Sequence, residues 1–285
     1  MVKCSSANLF LLGVNISLFD YKCLIAFIIA IVTLTVGFTS LHFVRRYQHL
    51  LLMSDAFADG IFLGTAVFHL FPDAIQGLLN KVGALSSYIL VIVFMGFGFL
   101  LLFSLERSII RREKQHKIKS TDQMCMPSTW MLTGILSVHA LIVGAAFGIS
   151  DTINVISLLS IAILVHKGFE SFALIMGLHF GIKSENKIKG TLWAFSFVTP
   201  FGIIMAAFIE FFLQTRLAVV ITSLLSAFAA GSFFYIGALH GVVNEHFHSL
   251  HDPLKCYQKV LAISFGIIAM AIMMVIIWFL KPIIM

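Results

Sequence analysis

Apolar residues along this chain fall into long unbroken runs rather than into a 3.6-residue or two-residue alternation. Repeated stretches of about 20 such residues are the mark of helices that cross a bilayer. Eight are delimited by polar breaks, at roughly 23–44, 54–75, 84–106, 129–149, 155–181, 190–213, 217–243 and 257–280. Polar residues interrupt the runs beginning at 54 and 155 more than the others. The expected fold class is therefore an all-α integral membrane protein with eight transmembrane helices, forming a single transmembrane domain over 1–285. Its longest polar tract is a basic loop at about 107–128.

Composition agrees with the pattern. Hydrophobic residues make up 60% of the 285 and charged residues only 11%, with a mean hydropathy of +1.02; no soluble domain of this size reads so. The basic residues then orient the chain. The loops after spans one, three, five and seven hold 13 of the 19 Lys and Arg, the opposite side holds 5, and Lys167 lies within a span. By the positive-inside rule the odd-numbered loops face the cytoplasm and both termini face outward. The formal charge of +6 is thus a topology signal, and no basic patch interleaved with aromatics marks a nucleic-acid partner. The lipid bilayer is the expected surrounding, most simply the plasma membrane.

Cys4, Cys23, Cys125 and Cys256 are scattered, without a CxxC pair, and fit neither a zinc ribbon nor a disulfide scaffold. Asn8, Asn15 and Asp20 make the first 20 residues a poor signal-peptide core.

Chemistry enters where spans four and five carry ionisable groups that hydrocarbon tolerates only for a purpose. His139 lies about ten residues into span four; His166 and Glu170 lie about eleven and fifteen into span five. At about 1.5 Å rise per residue the three reach similar depth near the bilayer middle. The i, i+4 spacing of His166 and Glu170 puts both on one helical face. Imidazole and carboxylate are metal ligands suited to Zn²⁺ and also to Fe²⁺. A hydrogen-bonded His–Glu pair that merely ties the bundle together is the bland alternative, and three such groups at matching depth favour the metal. His69 and Asp73 in span two are again i, i+4, around Pro72, and make a candidate outer recruiting site. Toward the inner side lie Asp55 and Asp59, His179, His240 and Glu245. Together these form a ladder from outer mouth to midplane to inner mouth, although each alone reads more simply as an interfacial residue. Lys167, beside His166, either reaches the carboxylate of Glu170 or occupies the space of a second cation. Thr199-Pro200-Phe201-Gly202 marks a kink in span six, as a hinge or as static packing.

Several blocks resemble the ZIP (Zrt/Irt-like) family of divalent metal transporters. They are Ala56-Phe57-Ala58-Asp59-Gly60 through His69-Leu70-Phe71-Pro72-Asp73-Ala74, Ser137-Val138-His139 with Gly144, and His166-Lys167-Gly168 with Glu170. Thr199-Pro200-Phe201-Gly202 and Ala229-Ala230-Gly231-Ser232-Phe233-Phe234-Tyr235-Ile236 extend the likeness to spans six and seven, and the His-Lys-Gly form is similar to the eukaryotic-type branch. The resemblance implies eight helices with both termini outside, in a 3+2+3 arrangement with an inverted repeat. It also implies movement of the ion into the cytoplasm and His139, His166 and Glu170 as midplane ligands. The chain departs from the family pattern at Val143, where a glutamate is common, at Ala140 in place of serine, and at His240 in an acidic position. The metal is cargo, no cofactor is expected, and a homodimer is a candidate assembly. The competing class, an intramembrane zinc-dependent hydrolase, calls for a signature such as His-Glu-x-x-His, which is lacking; an enzyme is not expected.

Overall fold

In a computed structural model the chain is described over residues 9–11, 14–47, 50–115, 126–150, 153–182, 184–209, 215–240 and 256–284. A bilayer offers the backbone no hydrogen-bond partner, so each apolar run closes its own bonds as a helix. A short antiparallel hairpin, β1 (Leu9–Leu11) with β2 (Val14–Ile16), precedes the helices. Then come α1 (Leu18–Arg46), α2 (Leu51–Thr65), α3 (Phe71–Val82), α4 (Ala84–Gln115), α5 (Met126–Gly148), α6 (Ile153–Gly181), α7 (Glu185–Ile209), α8 (Thr215–Tyr235) and α9 (Cys256–Ile284). A π-helical turn at Ala66–Leu70 fuses α2 and α3 into one span, and a second at Ile236–His240 continues α8. Among the described residues, eight helical stretches are long and apolar enough to cross a membrane, as the hydropathy pattern requires.

The helix ends differ from the apolar boundaries for local reasons. Helix α1 starts five residues early because Ser17 caps it, its hydroxyl accepting from the Asp20 N–H at 3.1 Å. The basic tract expected as a loop from Arg107 begins instead as helix: α4 continues to Gln115. Arg, Glu, Lys and Gln are good helix formers, so the helix outlasts its apolar run. Gly83, at φ +85°, makes the sharp turn from α3 into α4. Residues 116–125 of that loop lie outside the described residues, as do Glu245 and the histidines at 246, 248 and 251.

Packing sorts the helices into two groups. Helices α1, α5, α6 and α7 pack among themselves, and α2, α3, α4, α8 and α9 do likewise, with α6 meeting α2 and α9, and α5 meeting α8, across the junction. Many hydroxyls within the spans donate to their own helices, whereas the buried Thr199 hydroxyl finds no partner among the described residues. Thr33, Thr65, Ser160 and Ser171 each donate to the carbonyl four residues back, at 2.7 to 2.9 Å. Helices α5 and α7 cross closely at Gly144 and Gly202, where a Cβ on Gly202 would come within 2.6 Å of the Leu141 carbonyl oxygen. Pro200 sits inside an uninterrupted α7, and Gly202 of the Thr-Pro-x-Gly block makes this contact. Lys22, tallied on the outer side, is 4% exposed and donates to the Gly148 carbonyl at 2.6 Å, a cation on the last carbonyl of α5.

Candidate metal centre

His139 lies near the midpoint of α5, and His166 and Glu170 near that of α6. The crossing of α5 with α6 brings them together: one ligand atom from each falls within 4.8 Å of the other two. Their exposures are 0, 2 and 4%. His139 Nε2 is 3.0 Å from Glu170 Oε1, and His166 Nε2 is 3.5 Å from the same oxygen.

Those three atoms nonetheless make no aligned hydrogen bond. A buried polar atom without a partner costs about 1–3 kcal/mol, and more when charged, a cost that a cation held among the three would relieve. The tautomer of His166 is fixed by local geometry. Its Nδ1 is 2.7 Å from the Ala162 carbonyl oxygen, which can only accept, so Nδ1 carries the proton and Nε2 keeps its lone pair for the shared space.

Charge is balanced on the far side of the carboxylate. Lys167, 1% exposed, donates from Nζ to Glu170 Oε2 at 2.7 Å. The same ammonium lies 4.4 Å from the centroid of the Phe195 ring, a second favourable contact for a buried cation. Of the two readings of Lys167, the structure bears on the first: it does reach Glu170. The protein charge at the cluster is then close to zero, with one carboxylate oxygen neutralised and the other free to ligate. Such a donor set is chemically suited to a divalent ion outside a closed cage. Phe233, 5.0 Å from His139 between ring centroids, closes the side toward α8. Sequence reasoning missed the Phe195 and Phe233 walls; aromatic residues are too abundant in this chain, 29 Phe alone, for any one to stand out.

The remaining ladder residues are less tightly gathered. His69 lies in the Ala66–Leu70 π turn, its ring centroid 5.0 Å from that of His166. The deviation from α-helix has a cause: Pro72 has no N–H, and Phe71 N–H donates five residues back to Ala66. The π turn absorbs the proline, and the span stays continuous through Pro72. Asp73 Oδ2 is 3.1 Å from His69 Nδ1, with the aspartate side chain half exposed. Asp55 and Asp59 are on α2 and His179 is in the last turn of α6, all partly buried. Among the described residues none of these joins the three-ligand cluster. His240 ends the second π turn, and its side chain lies outside the described residues. Val143 packs into the apolar cluster around Ile25, Phe147 and Ile163, and Ala140 is buried in the main core, so neither adds a donor.

Comparison with known proteins gives a consistent answer. The family model described as ZIP zinc transporter matches residues 105–274, well over half of the chain. A Takifugu rubripes protein named zinc transporter ZIP1 is 24% identical over 80% of this chain and 85% of its own length. An Arabidopsis thaliana protein named zinc transporter 11 is 26% identical over 91% and 86%, and a Danio rerio zinc transporter ZIP1 is 26% identical over 82% and 86%.

Proposed function

The chain belongs to the ZIP zinc transporter family and is a multi-pass membrane transporter of divalent metal ions; from that premise we propose that His139, His166 and Glu170 are the midplane ligands and that the ion moves into the cytoplasm. The observation that carries the reading is the convergence of three buried, unpartnered ligand atoms from α5 and α6 on one space. Three protein ligands with water completing the shell exchange faster than a closed four-ligand cage. Zn²⁺ is the first cargo by this chemistry, with Fe²⁺ and Mn²⁺ as further substrates.

In this reading the ion sheds water at His69 and Asp73, binds the three ligands, and leaves past Asp59, His179, His240 and Glu245. The α1, α5, α6 and α7 group rocks against the other helices to alternate access. The 3+2+3 arrangement with its inverted repeat, external termini, the plasma membrane and a homodimer belong to the same proposal, supported by the distribution of Lys and Arg and by family membership. The single domain over 1–285 serves transport, and no resident cofactor is needed. A hydrolase finds no support: the cluster has no general base beyond the carboxylate already paired with Lys167. The test is uptake of zinc, iron and manganese into proteoliposomes, each measured against the others as competitors. Failure of all three to enter would sink the reading.

A further inference from the structure

Helices α5 and α7 start at the same end of the bundle, and between their N-terminal halves runs an open groove of about 540 Å³. Trp130, Thr133 and Ser137 line it from α5; Lys187, Gly190 and Phe195 line it from α7. Its chemistry is graded. At the mouth stands Lys187, exposed and with no carboxylate in ion-pair range among the described residues, whereas its neighbour Lys189 is taken by Glu185 at 2.6 Å. Deeper in, Thr133 and Ser137 spend their hydroxyl protons on their own helix, at 2.9 and 2.8 Å, and so offer the groove no free donor. Its far end from Lys187 is apolar, walled by Phe195 and Val198. At Gly190 a Cβ would meet nothing within 4 Å, so the groove is open there by the absence of a side chain. Trp130, 46% exposed, stands where amphipathic rings mark a bilayer interface.

We propose that this groove is a binding site for an anionic phospholipid of the cytoplasmic leaflet, its phosphate on Lys187 and one acyl chain running inward along Trp130 to Phe195. A single unpaired ammonium above an apolar channel is complementary to a headgroup that is negative at one point and joined to hydrocarbon. The leaflet follows from the orientation proposed above. Occupancy also reaches the transport site, because Phe195 is both the inner wall of the groove and the ring under the Lys167 ammonium, and Lys167 holds Glu170. The bound lipid therefore acts on the carboxylate through one aromatic ring.

The test uses full-length protein carrying Trp193→Phe and Trp278→Phe, two exposed positions, so that Trp130 is the one fluorophore. Brominated-chain phosphatidylglycerol is compared with brominated-chain phosphatidylcholine as quencher in reconstituted vesicles, and zinc uptake is measured in the same lipids. Quenching of Trp130 should favour phosphatidylglycerol by about fivefold in apparent affinity, the scale of one basic residue facing an anionic lipid. Lys187→Gln should abolish that preference. Gly190→Phe, which fills open space and leaves the fold intact, should abolish quenching by acyl chains in the groove. Zinc uptake in phosphatidylglycerol should differ from that in phosphatidylcholine, and the difference should vanish in both variants. Equal quenching by the two lipids, or a preference that survives Lys187→Gln and Gly190→Phe, overturns the site. Selective quenching with identical uptake in the two lipids overturns the coupling through Phe195. Zinc uptake absent in every lipid counts against the transport reading alone, since the quenching measurement needs no metal.

Discussion

Lys167 Nζ rests 2.7 Å from Oε2 of Glu170, while Oε1 of the same carboxylate faces His139 and His166. In the proposed function one carboxylate serves two cations at once, a tethered ammonium and the ion in transit. The ammonium repels a divalent ion across that carboxylate, by an energy on the order of a few kcal/mol at the dielectric of protein sites. Lys167→Gln should therefore raise zinc affinity by roughly tenfold or more and slow release, so that KM and turnover both fall. Equilibrium dialysis with ⁶⁵Zn and initial uptake rates read the two quantities. Unchanged affinity and stoichiometry would remove Lys167 from any account of the site.

Glu170 cannot be tested by simple deletion. Glu170→Gln leaves the Lys167 ammonium buried without its counter-ion, which costs about 3–5 kcal/mol and confounds lost transport with lost folding. The double variant Glu170→Gln/Lys167→Met removes both charges together. It should keep the helical circular dichroism and melting behaviour of the parent while zinc uptake falls to background. His166→Ala should do the same without any compensating change, because Glu170 keeps Lys167 as its counter-ion. Robust uptake by either folded variant would show that the ion takes another route.

How much of this was legible in the sequence follows from what each signal measures. The eight spans were readable because bilayer thickness sets run length, and His139, His166 and Glu170 because ionisable groups in such runs are rare. Depth along a helix comes from counting residues, and the i, i+4 face comes from helical pitch; both hold. Helix ends did not follow from hydropathy. Ser17 as a cap and the helix-forming residues beyond Leu105 move the ends of α1 and α4 outside the apolar runs. The π turn at His69 and the Lys22–Gly148 contact were likewise hidden, the first because it depends on backbone strain relief at Pro72, the second because it joins residues 126 positions apart. Glu106, paired with the Tyr235 hydroxyl inside the bundle, escaped notice as a mere end to an apolar run.

His69 is the ladder residue that geometry supports best, adjacent to His166 and touching Asp73. As a recruiting ligand it acts on capture and not on the midplane step. His69→Ala should raise the KM for zinc severalfold with little loss of maximal rate. Asp73→Asn should have a smaller effect in the same direction, since its half-exposed carboxylate is screened by water and salt. The check is a full concentration series of uptake rates. A fall in maximal rate with KM unchanged would instead make His69 part of the central site.

The α5–α7 crossing tests whether Thr-Pro-x-Gly is packing or hinge. Without a hydrophobic drive inside the bilayer, helices hold together by close contact, and small residues permit it. A side chain at Gly144 would strike the Thr199 carbonyl oxygen, and one at Gly202 would come within 2.6 Å of the Leu141 carbonyl oxygen. Those obstacles are backbone atoms and cannot turn away. Gly202→Val or Gly144→Val must push α7 off α5, at a cost of several kcal/mol by the standard of overpacked cores. It should also lower the melting temperature and the yield of folded protein. Gly134→Ala on the same helix meets nothing within 4 Å and should be neutral to within about 1 kcal/mol. Thermal melts of the three variants in one detergent decide the matter. If Gly202→Val melts like the parent yet loses uptake, then movement at this crossing, and not its static fit, is what the glycine provides.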